Sequence, residues 1–189
     1  MRLLIVYGTT EGHTRKIAQF LKEEAEKKGI NVTLCDASNE PEPPLFFNGV
    51  IVCSSLHVHK YQAAIAHYVM SYSDKLNVAP SAFCSVSLTA AGDEEKSWEE
   101  LKKLTVEFLH HTKWTPQFTE YVAGALLYTQ YDFFKKYIMR MIAKKAGGNT
   151  DTSGDFVYTD WKSLTSFLTA FVAEMEKQKD KVGIEEAYL

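Results

Sequence analysis

Residues Thr9-Thr10-Glu11-Gly12-His13-Thr14 place three hydroxyls, a carboxylate, an imidazole and a glycine within one short stretch. An apolar run, Leu3-Leu4-Ile5-Val6, precedes them, and Ile17, Phe20, Leu21 and Ala25 follow at helical spacing. Gly8 to Thr14 is therefore a strand-to-helix loop. The first turn of such a helix offers backbone N–H groups without intrahelical acceptors and the positive end of the helix dipole. With threonine hydroxyls beside them, these groups suit a phosphate. The same residues serve equally well with Thr14 as a helix cap and Gly8 and Gly12 as turn formers, so the loop alone leaves both readings open. No Lys-Ser or Lys-Thr follows Gly12, which disfavours an ATP- or GTP-binding P-loop.

Other chemistry-bearing residues are weaker. His57 and His59 alternate as zinc ligands do, but no third ligand lies near them in sequence, and a metal is not expected. His13 is read either as a donor to the phosphate or as a solvated side chain. Tyr61 opens a helical stripe with Ile65, Tyr68, Val69 and Tyr72, which favours a core role, and Trp98, Trp114 and Trp161 read as packing residues. No Ser-His-Asp order or carboxylate pair invites hydrolysis, and no residue announces itself as a catalytic base.

The elements that must position these residues alternate along the chain. Strand-like runs at Leu3–Val6, Asn31–Cys35, Gly49–Cys53, Ala82–Val86 and Tyr121–Leu126 are separated by helical stripes, and Asp160 can cap a last helix carrying Trp161, Leu164, Leu168, Phe171 and Met175. That alternation predicts an α/β fold, a parallel sheet covered on both faces with right-handed crossovers. Ligands of such sheets lie beyond the carboxyl ends of the strands, where strand order reverses. Three loops should meet there: Gly8 to Thr14, Ser54 to Tyr61, and Ser87 to Asp93. A flat ring carrying a phosphate fits between them.

With 189 residues, 46% hydrophobic and 24% charged, the chain suits one domain, expected over residues 1–176 with a charged tail at 177–189. A net charge of −3 gives no global reason to expect nucleic acid as a partner. Cys35, Cys53 and Cys84 lie singly in apolar runs, as reduced cysteines do, and no stretch approaches the roughly 18 apolar residues of a membrane span. An intracellular protein, on or near a membrane at most, is the expectation.

The loop from Thr9 to Thr14 resembles the phosphate loop of flavodoxins, usually Ser/Thr-x-Thr-Gly-x-Thr, and departs from it at Glu11, where a threonine is common. A carboxylate there should point outward or bond backbone N–H groups. Further motifs, Pro80-Ser81-Ala82-Phe83 with Ser85-Val86, Ala123-Gly124-Ala125-Leu126 with Tyr128, Gly147-Gly148 with Thr150-Asp151-Thr152, and Val157-Tyr158-Thr159-Asp160-Trp161, resemble the flavodoxin-like, quinone-dependent protoporphyrinogen IX dehydrogenases. In that family an acidic residue also stands at the position of Glu11.

The resemblance implies a flavodoxin-like, doubly wound, five-stranded parallel sheet of order 2-1-3-4-5 with a helical insert, about 128–155, after the fifth strand. It implies FMN as cofactor, protoporphyrinogen IX as substrate in haem synthesis and a membrane quinone as electron acceptor. By motif, the phosphate falls to Thr9, Thr10, Glu11, Gly12, His13 and Thr14, and the flavin ring to Ser55, Leu56, His57, Ser87, Leu88, Thr89, Ala90 and Gly92. A flavodoxin-type electron carrier and an NAD(P)H-quinone reductase are the rival readings, with a membrane-surface module a further one.

Within the insert, Phe133, Phe134, Tyr137, Ile138, Met141 and Ile142 make a broad apolar face, with Lys136, Arg140 and Lys144 aligned beside it and Lys135 adding charge. A basic amphipathic helix of this kind suits a membrane surface, and Lys135, Lys136 and Arg140 suit the propionates of a porphyrinogen equally well. Docking on its own domain, with the lysines in water, is the bland alternative.

Overall fold

The computed structural model describes residues 1–126 and 156–187. The candidate contacts Lys135, Lys136 and Arg140 lie outside the described residues.

The first half of the chain runs β1 (Arg2–Gly8), α1 (His13–Lys27), β2 (Asn31–Asp36), β3 (Gly49–His57), β4 (Lys60–Tyr61) and α2 (Ala63–Leu76). It continues through β5 (Ser81–Ser87), α3 (Glu95–Thr112), β6 (Phe118–Ala123), β7 (Ala125–Leu126), β8 (Phe156–Val157) and α4 (Trp161–Ala187). Five strands form a sheet in the order β2-β1-β3-β5-β6 with every neighbouring pair parallel. In chain order of those five this is the expected 2-1-3-4-5.

Strand side chains alternate between faces, and each face is closed by two helices. Leu3, Ile5, Ile51, Cys53, Ala82 and Cys84 pack with Ile17 and Leu21 of α1 and Leu164, Leu168 and Phe171 of α4. Leu4, Val6, Val50, Val52 and Phe83 pack with Ile65, Tyr68 and Val69 of α2 and with Trp114, just beyond α3. Both faces of the central strands are dry, so the cysteines in them, Cys53 and Cys84, act as small apolar fillers. Phe83 anchors the second face: its ring stacks on Phe108 at 5.2 Å and meets Trp114 edge-on at 5.7 Å. Removal of that ring would cost about 3–5 kcal/mol.

Two elements differ from their sequence expectation. The third strand does not end at Cys53 but runs on to His57, because β4 folds back antiparallel with Leu56 opposite Tyr61 and His57 opposite Lys60. The expected loop is thus a two-residue hairpin with Val58 and His59 at its turn, both at positive φ (47° and 63°). Asparagine or glycine usually marks such a turn, and neither is present. The fifth strand begins earlier, at Phe118, and stops at Ala123. Beyond Gly124, Ala125 and Leu126 leave the sheet to pair antiparallel with Val157 and Phe156.

Helix α4 runs on through 177–187, the segment read from its charge as a tail. Among the described residues no helix is long and apolar enough to cross a membrane.

Candidate functional site

The loops after β1, β3 and β5 converge at the carboxyl ends of the sheet around a cleft of about 570 Å³. Thr9, Thr10, Glu11, His13 and Thr14 form one wall, Ser55, Leu56, His57, Val58 and His59 a second, and Val86, Ser87, Leu88 and Thr89 a third. Gly124 and Ala125 close it beyond β6. The β1 wall is polar throughout, while the other two mix aliphatic side chains with Ser55, His57, His59, Ser87 and Thr89.

The first wall is shaped by Gly12, whose φ of 85° lets the chain turn from the loop into α1. Helix α1 starts at His13 with no side-chain cap bond, so Thr14 is not the cap the alternative reading required. Instead the Gly12 N–H donates to Thr9 Oγ1 at 2.9 Å, which holds the loop closed on itself. Thr14 is 1% exposed and lies on the cleft wall. Glu11 is half-buried on the wall, and no described backbone N–H donates to it. Gly12 itself shapes the loop rather than lining the cleft.

His13 is buried rather than solvated, and it lines the cleft with one ring nitrogen already engaged. Its Nε2 lies 2.7 Å from Thr159 Oγ1, and the Thr159 hydroxyl donates to the Ala123 carbonyl, also at 2.7 Å. Thr159 has one proton and spends it on Ala123, so His13 must carry its own on Nε2 and donate. Burial holds the His13 pKa below its ordinary value, and the nearby Lys16 ammonium lowers it further. The pair ties the β1 loop to the segment that follows β8.

The second wall is the β3–β4 hairpin. Tyr61 anchors its base rather than covering a ligand: its hydroxyl lies 2.7 Å from both Ser85 Oγ and Thr105 Oγ1, and its ring packs on Phe83 and Phe108. Thr105 donates to the Leu101 carbonyl, so Tyr61 donates to Thr105 and accepts from Ser85. Burial raises the Tyr61 pKa, which keeps this relay neutral. At the tip, Val58 is 74% exposed, and a β-branched residue at positive φ is a strained conformation. His59 Nδ1 stands 3.6 Å from Glu100 Oε1 on α3. No cluster of three or more metal-ligating side chains occurs among the described residues.

In the third wall the Ala90 N–H donates to Ser87 Oγ at 3.2 Å, opening a short 3₁₀ turn at Thr89–Ala91. Ala90 and Gly92, both expected at the ligand, are absent from the cleft wall. The Gly92 carbonyl is used instead as acceptor for Trp98 Nε1 at 2.8 Å, pinning the turn to α3.

Sequence reasoning missed Val58, Val86, Gly124 and Ala125 on the walls and Gln62 behind them. Gln62 Nε2 donates to Thr10 Oγ1 at 2.7 Å and to Ser55 Oγ at 2.8 Å, joining the first two walls. The missing signal was tertiary, because Thr10 and Gln62 lie 52 positions apart.

Hydroxyls of one kind therefore surround the cleft. Thr9, Thr10, Ser55 and Ser87 each accept an N–H from the protein, which leaves each O–H available to donate. With the N–H groups of the first turn of α1, this donor set favours an anion at the β1 wall and acceptor atoms along the others.

A family model described as a flavodoxin domain matches residues 4–153. The chain is 32% identical over 168 residues, 88% of its length, to a protoporphyrinogen IX dehydrogenase (quinone) of Escherichia coli K12, and covers 92% of that protein. It is 32% identical over 174 residues to a protein of the same name from Leishmania major, covering 91% of this chain and 75% of that one. Among solved structures, oxidised flavodoxin 1 of Bacillus cereus superposes with a TM-score of 0.55 at 12% identity, over 92% of this chain and 98% of that one. Flavodoxin 2 of the same organism gives 0.54 at 15% identity, over 92% and 99%.

Proposed function

The chain belongs to the flavodoxin-domain family, alongside the protoporphyrinogen IX dehydrogenases (quinone), and on that premise we propose that it oxidises protoporphyrinogen IX to protoporphyrin IX and passes the electrons to a quinone. It is an FMN-binding oxidoreductase. The observation that carries the finer reading is the 32% identity to dehydrogenases of that name, which extends over 88% of the chain rather than over the phosphate loop alone.

The residues present fit FMN. A phosphate monoester needs donors, and the β1 wall offers the N–H groups at the start of α1 and the hydroxyls of Thr9, Thr10 and Thr14, of which Thr9 and Thr10 already accept an N–H and so keep their own protons to donate. A flavin ring needs a flat apolar slot with a few polar edges, which Leu56, Val58, Val86, Leu88 and Ala125 supply with Ser55 and Ser87. Once bound, FMN supplies the two-electron chemistry.

The protein supplies position and environment. Thr9, Thr10 and Thr14 would hold the phosphate end near the positive end of the α1 dipole. Leu56 and Leu88 would exclude water from a bound ring, and the exposed tip at Val58 would offer an apolar edge beside it. His57 and Ser87 supply polar groups on the walls that would face the ring.

The basic residues Lys135, Lys136 and Arg140 support contact with a lipid surface, where a membrane quinone resides, and the chain is proposed to bind peripherally to an inner membrane from the cytoplasmic side or to an organellar membrane from the matrix side. Each cation near an anionic surface contributes about 1 kcal/mol.

Anaerobic stopped-flow absorbance tests the assignment. FMN-loaded protein mixed with protoporphyrinogen IX should lose its visible flavin band, and a soluble quinone should restore it as porphyrin absorbance appears. A flavin that stays oxidised with the porphyrinogen but is bleached by NAD(P)H makes the protein a quinone reductase instead. For the membrane contact, reversing Lys135, Lys136 and Arg140 to Glu should abolish sedimentation with anionic vesicles. Unchanged sedimentation would refute it, and an accompanying rise in porphyrinogen KM would assign those cations to the propionates.

A further inference from the structure

We propose that Gln62 is a positioning residue that sets the hydrogen-bond polarity of two cleft hydroxyls at once, turning Thr10 and Ser55 into donors toward FMN. The inference rests on the cofactor reading above and extends it to a side chain outside the cleft wall.

Gln62 stands between Tyr61 of β4 and the start of α2. Its backbone N–H donates to Ser54 Oγ at 3.2 Å, and its carbonyl accepts from Ala66 N at 3.1 Å, which fixes its place at the end of the hairpin. Its side chain is not used to cap α2. Instead Nε2 reaches across to Thr10 on the phosphate wall and Ser55 on the ring wall, at 2.7 and 2.8 Å.

A carboxamide nitrogen carries two protons and accepts nothing. Both are spent here on hydroxyl oxygens, so neither Thr10 nor Ser55 can direct its own proton at Gln62. Neither hydroxyl has another acceptor among the described residues, and both side chains line the cleft. Their O–H groups are therefore free to turn toward a ligand, Thr10 toward the phosphate and Ser55 toward an acceptor on the ring. Donors oriented before the ligand arrives cost no reorganisation when it binds.

The opposite arrangement would work against the cofactor. A side chain presenting only oxygen at this point would accept both hydroxyl protons and turn oxygen lone pairs toward a phosphate dianion, beside the carboxylate of Glu11. Glutamate in place of Gln62 has that effect with nearly the same shape. Methionine keeps the length and removes both bonds.

The test is a titration of FMN and of riboflavin, which lacks the phosphate, into the apo forms of the wild type, Gln62→Met, Gln62→Glu and Thr10→Val, followed by flavin fluorescence. Thermal melts of the same proteins establish that each is folded. Gln62→Met should weaken FMN binding about tenfold and Gln62→Glu about a hundredfold, a loss to charged hydrogen bonding. Riboflavin should lose less in both. In the Thr10→Val background the FMN-specific part of the Gln62→Met effect should disappear, because the hydroxyl it orients is gone.

The proposal is overturned if Gln62→Glu binds FMN as well as Gln62→Met, which would mean that the carboxamide oxygen faces the two hydroxyls. Equal losses for FMN and riboflavin, or additive effects of the Gln62 and Thr10 substitutions, overturn it as well. A wild-type chain that binds neither flavin overturns the cofactor reading and this inference together.

Discussion

Thr159→Val removes one hydroxyl at nearly constant volume and tests the link between the β1 loop and the start of α4. Thr159 is buried and lies 2.7 Å from two polar atoms, the Ala123 carbonyl that accepts its proton and the His13 Nε2 that donates to it. The valine leaves both of them without that partner. An orphaned buried group costs about 1–3 kcal/mol, so the pair should cost about 2–4 kcal/mol once partial relaxation is allowed. For a domain of this size that corresponds to a melting temperature lower by about 5–12 °C. Thermal unfolding of the apo protein at neutral pH measures it, with Thr169→Val as the control. Thr169 is exposed and its hydroxyl donates to the Thr165 carbonyl within α4, so its substitution should stay within about 0.5 kcal/mol. If Thr159→Val melts within about 2 °C of the wild type, the two groups have found other partners and the argument for a buried relay fails.

The same relay has a pH consequence. Because His13 titrates below its ordinary value, the unfolded chain binds a proton before the folded one does as pH falls. Stability should be fully present above about pH 6.5, the unfolded imidazole value, and should decline from there down toward the lowered folded value. His13→Phe should flatten that part of the profile, and an unaltered slope would assign it to other groups. Gly8→Ala places a methyl 2.6 Å from Ile65 Cγ1 and 3.0 Å from Gln62 Cβ, and should cost about 1–3 kcal/mol in a melt by overpacking; a neutral result would show that α2 can shift. Thr14→Val should weaken FMN about tenfold while leaving riboflavin nearly unchanged, and equal losses for the two flavins would remove Thr14 from the phosphate site.

Much of the sheet was legible because its strands are buried on both faces. Continuous runs such as Leu3-Leu4-Ile5-Val6 and Val50-Ile51-Val52-Cys53 have no polar face to offer, and their alternation with helical stripes admits few topologies. The phosphate wall was legible for a related reason: a strand, a glycine, threonines and a helix are contiguous, and local geometry places them together. The hairpin at Val58 and His59 was not. Neither residue favours positive φ, and the turn exists because pairing of Leu56 with Tyr61 and burial of the Tyr61 ring outweigh its local cost.

The division follows from the range of the forces. Local patterning determined which segments are strands and helices, where the loops fall and which hydroxyls stand at the head of α1, since periodicity, turn chemistry and helix polarity act over a few residues. Tertiary packing decided the rest: that His13 turns to Thr159, 146 positions away, that Tyr61 closes a relay between Ser85 and Thr105, and that Gln62 spans two walls of the cleft. Buried polar groups must find partners, and in a parallel sheet the partners nearest in space are far apart along the chain.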